Sequence, residues 1–367
     1  MLVLVAGQLV SARRAILAVV AWRRTAGPAY EVPGSEAVVV PVLDCPEQAV
    51  RSLEHHSRMG SGGALWFAAS ARDCCGTAEA LGAAGAQVVV APRTAAGKAA
   101  QVNWAVRQIP PTDWITVYDV DSAPATARLA IGRRAANLDV VTRRCVYRPA
   151  GESPFWNGVA LAQTWWGVTY ESGKWLGRRW YLVGHGVTIR RELLEREPLD
   201  ESATAEDLAY GYRISAQGKR VGLSPDADRA LSPDGFREYV RQARRWFYGD
   251  VQATRELDEP SRTIRRAELL WDWLAAPVLT PIALLHAPAL APLGVLKLLA
   301  ATAMAGTAAA RLSDVPVRHS PGALVLGFAA RRYLFAVAAL TEAGCVLVNG
   351  ARCGPFSPTQ GAVPDDA

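Results

Sequence analysis

Trp114-Ile115-Thr116-Val117-Tyr118-Asp119-Val120-Asp121 decides the fold. Trp114–Tyr118 reads as a buried strand, and two acids stand just beyond its end, two residues apart. In an extended segment alternate side chains project to one side, so both carboxylates would converge on one point. The same pattern recurs upstream. Ala37-Val38-Val39-Val40, ended by Pro41, suits a strand buried on both faces. Glu47–His56 has helical spacing, Ala64–Ala69 is a second strand, Thr77–Ala84 a helix, Gln87–Ala91 a third strand and Lys98–Gln108 a helix. Strands alternating with helices predict an α/β fold with a mostly parallel sheet flanked by helices. Ligands of such sheets bind beyond the C-terminal ends of the strands, which is where Asp44, Asp119 and Asp121 fall.

Half of the residues are hydrophobic, and the mean hydropathy is slightly positive. The apolar excess gathers after residue 268, in Leu269–Leu290, Leu293–Ala310 and Ala323–Val348. Pro277, Pro281 and Pro288 interrupt the first, and Arg331-Arg332 the last. Interfacial or kinked helices, with one or two true spans, are expected there. Four segments follow. Residues 1–34 are an apolar N-terminal segment, broken by Arg13-Arg14, plus a linker. Residues 35–255 form the α/β domain, 256–352 a membrane-associated helical region, and 353–367 a disordered tail. The N-terminal segment lacks the charged start and cleavage site of a signal peptide.

The net charge is +6, and 36 of the 40 basic residues are Arg. No nucleic-acid motif is present, so the basic excess points to a membrane surface. Arg262, Arg265 and Arg266 precede the first apolar stretch and place the α/β domain on the cytoplasmic side of the cell membrane. The six Cys form no CxxC pair and lack His partners at zinc spacing. Reduced thiols are therefore expected rather than a metal cage or a disulfide framework.

Several groups carry chemistry. Paired carboxylates at Asp119 and Asp121 suit a hard divalent cation, Mg²⁺ or Mn²⁺, shared with phosphate oxygens. Lys98, after Gly97, opens a helix whose N-terminus also favours anions. Glu206-Asp207 begin a helix expected over Thr204–Gln217 with Thr204 as its cap. Gln242, Arg245 and Trp246 share one face of a helix over Phe236–Thr254. A guanidinium can hold a diphosphate and an indole can stack on a sugar. With Arg241, Arg244 and Phe247 the same helix also reads as amphipathic and interfacial. Trp165, Trp166, Trp175 and Trp180 line an acceptor path, anchor at headgroups or fill a core.

Taken in order, Tyr118-Asp119-Val120-Asp121, Thr204-Ala205-Glu206-Asp207 and Gln242-Ala243-Arg244-Arg245-Trp246 resemble the DxD, (T)ED and QxxRW motifs of family 2 glycosyltransferases. The resemblance is to the membrane-bound group that includes cellulose, chitin and hyaluronan synthases and ceramide glucosyltransferases, and it spans roughly residues 36–250. It implies a GT-A-like fold. It also implies metal-dependent, inverting transfer of a sugar from a nucleotide donor, UDP-linked by expectation, to an acceptor hydroxyl. Asp121 would ligate the metal, with Asp119 nearer the nucleotide. Asp44 would contact the uracil; the alternative is a turn residue capping the helix that begins near Glu47. Lys98 would lie by the diphosphate, in a segment resembling GKxxxLN that runs through Asn103. Asp207 would be the base, beside Glu206. Gly184-His185-Gly186, ahead of Arg190-Arg191, resembles an acceptor-side loop. Gln242, Arg245 and Trp246 would hold the donor, and Trp246 would also meet the acceptor. One departure stands out: the second acid expected after the second strand is replaced by Ser70 or an alanine, unless Asp73 substitutes.

The expected acceptor is a lipid, a glycan or a natural product, receiving one or a few sugars. A few broken apolar segments are thin material for an export channel. Processive polysaccharide synthesis is the rival within the class, and an inactive membrane scaffold of the same fold is the rival outside it. A nucleotidyltransferase would use the paired acids but would not call for Gln242, Arg245 and Trp246 on one helix. Nucleic acid is not an expected partner, and association of chains is left open.

Overall fold

The computed structural model describes residues 34–60, 64–124, 138–149, 151–177, 181–286, 291–313 and 321–349. The apolar segment 1–22, most of the linker, Trp180 and the tail from residue 353 lie outside the described residues. The chain divides into two compact units. The first draws on Ala26–Val146 and Arg179–Leu231, the second on Tyr147–Arg178 and Ser232–Thr359.

The strands are β1 (Glu36–Val42), β2 (Leu65–Ser70), β3 (Gln87–Ala91), β4 (Trp114–Val117), β5 (Ala123–Pro124), β6 (Val140–Pro149), β7 (Val187–Arg190) and β8 (Val221–Ser232). The helices are α1 (Pro46–Arg58), α2 (Thr77–Ala83), α3 (Lys98–Gln108), α4 (Pro154–Gly177), α5 (Arg191–Arg196), α6 (Glu206–Ala216), α7 (Phe236–Ala253), α8 (Glu259–Leu270), α9 (Ala276–His286), α10 (Ala291–Ser313) and α11 (Pro321–Asn349).

One sheet runs in the order β3-β2-β1-β4-β7-β6-β8-β5. Its first four strands are parallel. β7 then pairs antiparallel with β4 and with β6, and β5 pairs antiparallel with β8. The run Ala37–Val42 is apolar because both of its faces are buried. Ala37 and Val39 join one core with Val102 and Val106 of α3 and Ile115 of β4. Val38, Val40 and Val42 join the opposite core with Phe67, Ala49 and Leu81. Each such side chain contributes about 1.5–3 kcal/mol on burial, so a charge at Val39 or Val40 would break the sheet at its centre.

The strands and helices expected up to residue 118 are found within about two residues of their predicted limits. The antiparallel half, β5 to β8, was not anticipated. β8 reads Val-Gly-Leu-Ser-Pro-Asp-Ala-Asp-Arg-Ala-Leu-Ser, with polar and turn-forming residues that conceal a strand.

In the second unit, Tyr239 and Ala243 of α7 meet Leu269, Trp273, Leu334, Phe335, Ala338 and Ala339 in one core. Trp273 stacks on Phe335 with ring centroids 4.0 Å apart. α4 and α11 cross at Gly158 and Gly327, where a Cβ would collide with the backbone carbonyls of Leu324 and Phe155. Among the described residues, the stretch Pro321–Gly344 of α11 is the one helix long and apolar enough to cross a membrane. The arginines expected to interrupt it do not. Arg331 bonds Gln163 of α4 at 2.7 Å and lies 3.9 Å over the Phe335 ring, so the helix runs through. Leu326, Val337 and Leu340 of the same helix face outward. Arg265, one of the arginines preceding the apolar tail, is buried and bonds Asp250 at 3.1 Å from Nε.

Candidate active site

The register of β4 against β7 builds the centre of the site. Trp114 faces Arg190 and Val117 faces Val187. Continuing that pairing two residues past the strand sets Asp119 against His185. The two meet there, with His185 Nε2 3.5 Å from Asp119 Oδ2. Asp119 and Asp121 do not converge through strand alternation, as their spacing suggested. β4 ends at Val117, and the chain turns, closed by the Ser122 amide donating to the Asp119 carbonyl at 3.0 Å. The turn brings Asp121 back beside Asp119, and ligand atoms of Asp119, Asp121 and His185 all lie within 4.8 Å of one another. Two carboxylates and an imidazole fit a divalent cation with mixed oxygen and nitrogen ligation, Mn²⁺ more readily than Mg²⁺.

Lys98 opens α3 behind Gly97, whose φ is +91°. Two amide side chains of that helix fix its place. Gln101 Nε2 donates to the Val42 carbonyl at 2.8 Å, and Asn103 exchanges bonds with the Leu199 backbone at 2.9 and 3.0 Å. The Lys98 ammonium is thereby held in an ion pair with Asp119, 3.3 Å from Glu206 Oε1 and 3.4 Å from the Gly184 carbonyl. Burial works against its charge, but Asp119, Glu206 and Asp207 outweigh burial and hold the Lys98 pKa above its ordinary value.

Glu206 and Asp207 occupy the first turn of α6. Ala205 rather than the expected Thr204 stands at the N-cap, and no side chain caps the helix. Burial, reinforced by the neighbouring Glu206 charge and moderated by Lys98, pushes Asp207 up to about 6. Gly184 lets these groups close up: a Cβ there would fall 2.7 Å from Lys98 Nζ and 2.8 Å from Asp207 Oδ2. Gly186 has φ +65°, and a Cβ there would lie 2.9 Å from Arg143 Cδ.

His185 also faces the other way. Its Nδ1 is 2.9 Å from Ser122 Oγ and 3.6 Å from Asp228 Oδ2 of β8. Burial disfavours its charge, yet Asp119, Asp121 and Asp228 together raise its pKa. Burial pushes Asp228 up to about 6 against the pull of His185. Burial also holds Asp121 above the usual carboxylate range, with His185 opposing and Asp119 adding to it. Ser122, Arg143 and Asp228 were missed from sequence. Asp228 lies in the strand read as no element at all, and its alternation with Asp226 was the available signal.

Asp44 stands just past β1, in the left-handed region at φ +52°. It does not cap α1, which has Cys45 at its N-cap without a side-chain bond. Instead it accepts from the Cys74 amide at 2.7 Å, while its own amide donates to Asp73 Oδ1 at 3.2 Å. Asp73 also accepts from the Thr77 amide at 2.5 Å and the Thr77 hydroxyl at 3.1 Å. Asp73 is thus occupied in bracing two loops, and Ser70 Oγ accepts from the Arg72 amide at 3.1 Å.

Asp44, Lys98, Asp119, Asp121, Gly184, His185, Gly186, Glu206 and Asp207 all belong to the first unit. Gln242, Arg245 and Trp246 belong to the second, on α7. There the Trp246 ring meets Tyr239 edge-on at 6.3 Å and Phe335 at 6.1 Å, so one side of the indole is taken up by aromatic packing. Arg244, from the middle of the same motif, holds the buried Glu342 of α11 through Nε and Nη2 at 3.0 and 2.9 Å.

The fold resembles that of a solved sugar transferase. The mannosyltransferase PcManGT from Pyrobaculum calidifontis, in complex with GDP-Man and Mn²⁺, is similar over 93% of this chain and 99% of its own, at 18% identity and a TM-score of 0.50. That likeness establishes a GT-A-like fold. Glucosyl-3-phosphoglycerate synthase from Mycobacterium tuberculosis, in complex with Mn²⁺, UDP and glucosyl-3-phosphoglycerate, matches 54% of this chain and 71% of its own. At 15% identity and a TM-score of 0.36 it is too distant to argue from. No curated protein matches the sequence. The profile of glycosyl transferase family group 2 matches residues 114–313, from β4 through the acid cluster and α7 to the end of α10. That is more than half of the chain, and this protein is a glycosyltransferase belonging to family group 2.

Proposed function

We propose that this protein is a metal-dependent, inverting glycosyltransferase that moves a sugar from a nucleotide-sugar donor to the hydroxyl of a lipid or amphipathic acceptor at a membrane. One observation carries the reading: Lys98 ties Asp119 of the acid turn to Glu206, beside the half-buried Asp207. A metal-binding half and a proton-accepting half thus share one ammonium.

In this reading Asp119, Asp121 and His185 hold Mn²⁺ or Mg²⁺, which when bound neutralises the charge of the departing nucleoside diphosphate. Lys98 adds a fixed positive charge beside the diphosphate without loosening its hold on Asp119 and Glu206. Asp207 takes the proton of the acceptor hydroxyl. With its pKa near 6 it is ionised at neutral pH, yet basic enough to accept that proton. Single displacement by that hydroxyl inverts the anomeric carbon. Gly184 lets Lys98 and Asp207 close up, and Gly186 does the same for Arg143 and Tyr118. Asp44 meets the base. GDP and UDP donors both remain open to this chemistry. The PcManGT complex carries GDP-Man, and the second acid associated with uracil is replaced here by Ser70 or engaged as Asp73.

Membrane association is supported by the apolar Pro321–Gly344 stretch and by the outward side chains of Leu285, Leu296, Leu326 and Leu340. One or a few sugars are added, because the one helix among the described residues that is long and apolar enough to span cannot by itself wall a polysaccharide channel. The test is product analysis by mass spectrometry after membranes carrying the protein are given a panel of nucleotide sugars. A sugar-modified lipid with the inverted anomer is expected. Long polymer inside sealed vesicles after external donor is added would replace this reading with processive synthesis.

A further inference from the structure

The buried groups behind His185 have no part in the chemistry derived so far. Asp228 and Ser122 are both fully buried. Asp228 comes from β8, which the pairing of Pro124 with Asp228 brings alongside the chain leaving Ser122. The Ser122 hydroxyl and the imidazole Nδ1, at 3.6 Å, face its carboxylate, and the Arg143 charge favours and the Asp121 charge opposes its ionised form. Ser122 Oγ itself is 2.9 Å from Nδ1. A carboxylate wholly enclosed beside an imidazole and a hydroxyl has a definite effect on both.

We propose that Asp228 and Ser122 act as positioning residues that select the tautomer of His185, keeping the proton on Nδ1 and leaving Nε2 bare toward Asp119. The reason is the direction of the hydrogen bonds. An ionised carboxylate can only accept. The hydroxyl has one proton to give, and it goes to Asp228, so Ser122 Oγ accepts from the ring. Nδ1 must then carry hydrogen, and the lone pair of the neutral ring sits on Nε2, 3.5 Å from Asp119 Oδ2. In the opposite arrangement Ser122 would donate to Nδ1, and the enclosed carboxylate would face an oxygen lone pair. A nitrogen must be bare to bind a metal, and the bond made by the other ring nitrogen commonly fixes which one that is. This inference rests on the reading of His185 as a metal ligand.

The test uses the full-length protein in detergent, labelled with ¹⁵N-histidine. The chain has five His, so a His185→Ala variant assigns the resonance by subtraction. In the neutral ring, the wild type should show a protonated Nδ1 and a bare Nε2, with no metal present. Ser122→Ala and Asp228→Asn should lose that preference. Both should bind Mn²⁺ about ten- to a hundredfold more weakly, measured with the metal alone by electron paramagnetic resonance. Ser122→Ala removes one oxygen and keeps the test standing if Asp228→Asn does not fold. A wild-type ring protonated on Nε2 overturns the inference. So does wild-type Mn²⁺ affinity in both variants when His185→Ala has lost it, which leaves His185 as a ligand and defeats the selection alone. If His185→Ala binds Mn²⁺ as tightly as wild type, the ligand reading falls and the selection has no purpose.

Discussion

Gly184→Ala probes the tightest point of the site with a single methyl group. The added Cβ would lie 2.7 Å from Lys98 Nζ and 2.8 Å from Asp207 Oδ2. Ordinary contact begins near 3.4 Å, so the groups must part by roughly 0.6–0.7 Å. Lys98 can swing its flexible stem, but it is moored to Asp119 and Glu206. Asp207 sits in the first turn of α6 and accepts from the Leu208 amide at 2.8 Å, so its carboxylate moves only with the turn. A misplacement of about 1 Å in a catalytic geometry can cost on the order of 100-fold in rate. Somewhat less displacement should lower kcat by about 30- to 100-fold, or about 2–2.7 kcal/mol in the barrier. Overpacking should cost only about 1 kcal/mol of folding stability, so the protein stays folded. The assay is release of nucleoside diphosphate from the active donor in excess Mn²⁺, with thermal unfolding run in parallel. A variant that turns over within about threefold of wild type would refute the placement of Gly184 between Lys98 and a catalytic Asp207.

Further expectations follow from the same geometry. Asp207→Asn should abolish transfer while nucleoside diphosphate binding, measured by calorimetry, stays near wild type; retention within about tenfold in turnover, or about 1.4 kcal/mol, would defeat the base assignment. The carboxylate forms only above its pKa, so wild-type kcat/KM should rise with pH through about 6 and then level, a limb lost from any residual activity of Asp207→Asn. Asp121→Ala should make nucleoside diphosphate binding indifferent to Mn²⁺; wild-type binding undiminished in excess chelator would remove the metal from the reading. Glu342→Ala removes the buried carboxylate that holds the half-buried Arg244 guanidinium and should cost about 1.5–3 kcal/mol, seen as a lowered Tm in detergent, whereas an unchanged Tm would show the pair to be inconsequential.

The sequence by itself determined the parallel half of the sheet, because a strand buried on both faces must be largely apolar, as Ala37–Val40 is throughout and Trp114–Val117 is apart from Thr116. It also determined that acids stand past the strand ends and that Lys98 opens a helix, since both follow from local pattern. Only tertiary structure decided what those groups meet. The β4–β7 register set His185 against Asp119, and no local signal encodes a pairing between segments about seventy residues apart. β8 was hidden because polar and turn-forming residues interrupt its apolar ones; Asp228 is polar and buried where His185 and Ser122 face it. Trp246 illustrates the same limit. Its spacing from Gln242 and Arg245 fixed its helical face, but the packing of α7 against α11 placed its ring beside Tyr239 and Phe335. Hydrophobic periodicity records which face of an element is buried. It does not record which distant segment buries it, and in this protein that second question selects the groups around the acids.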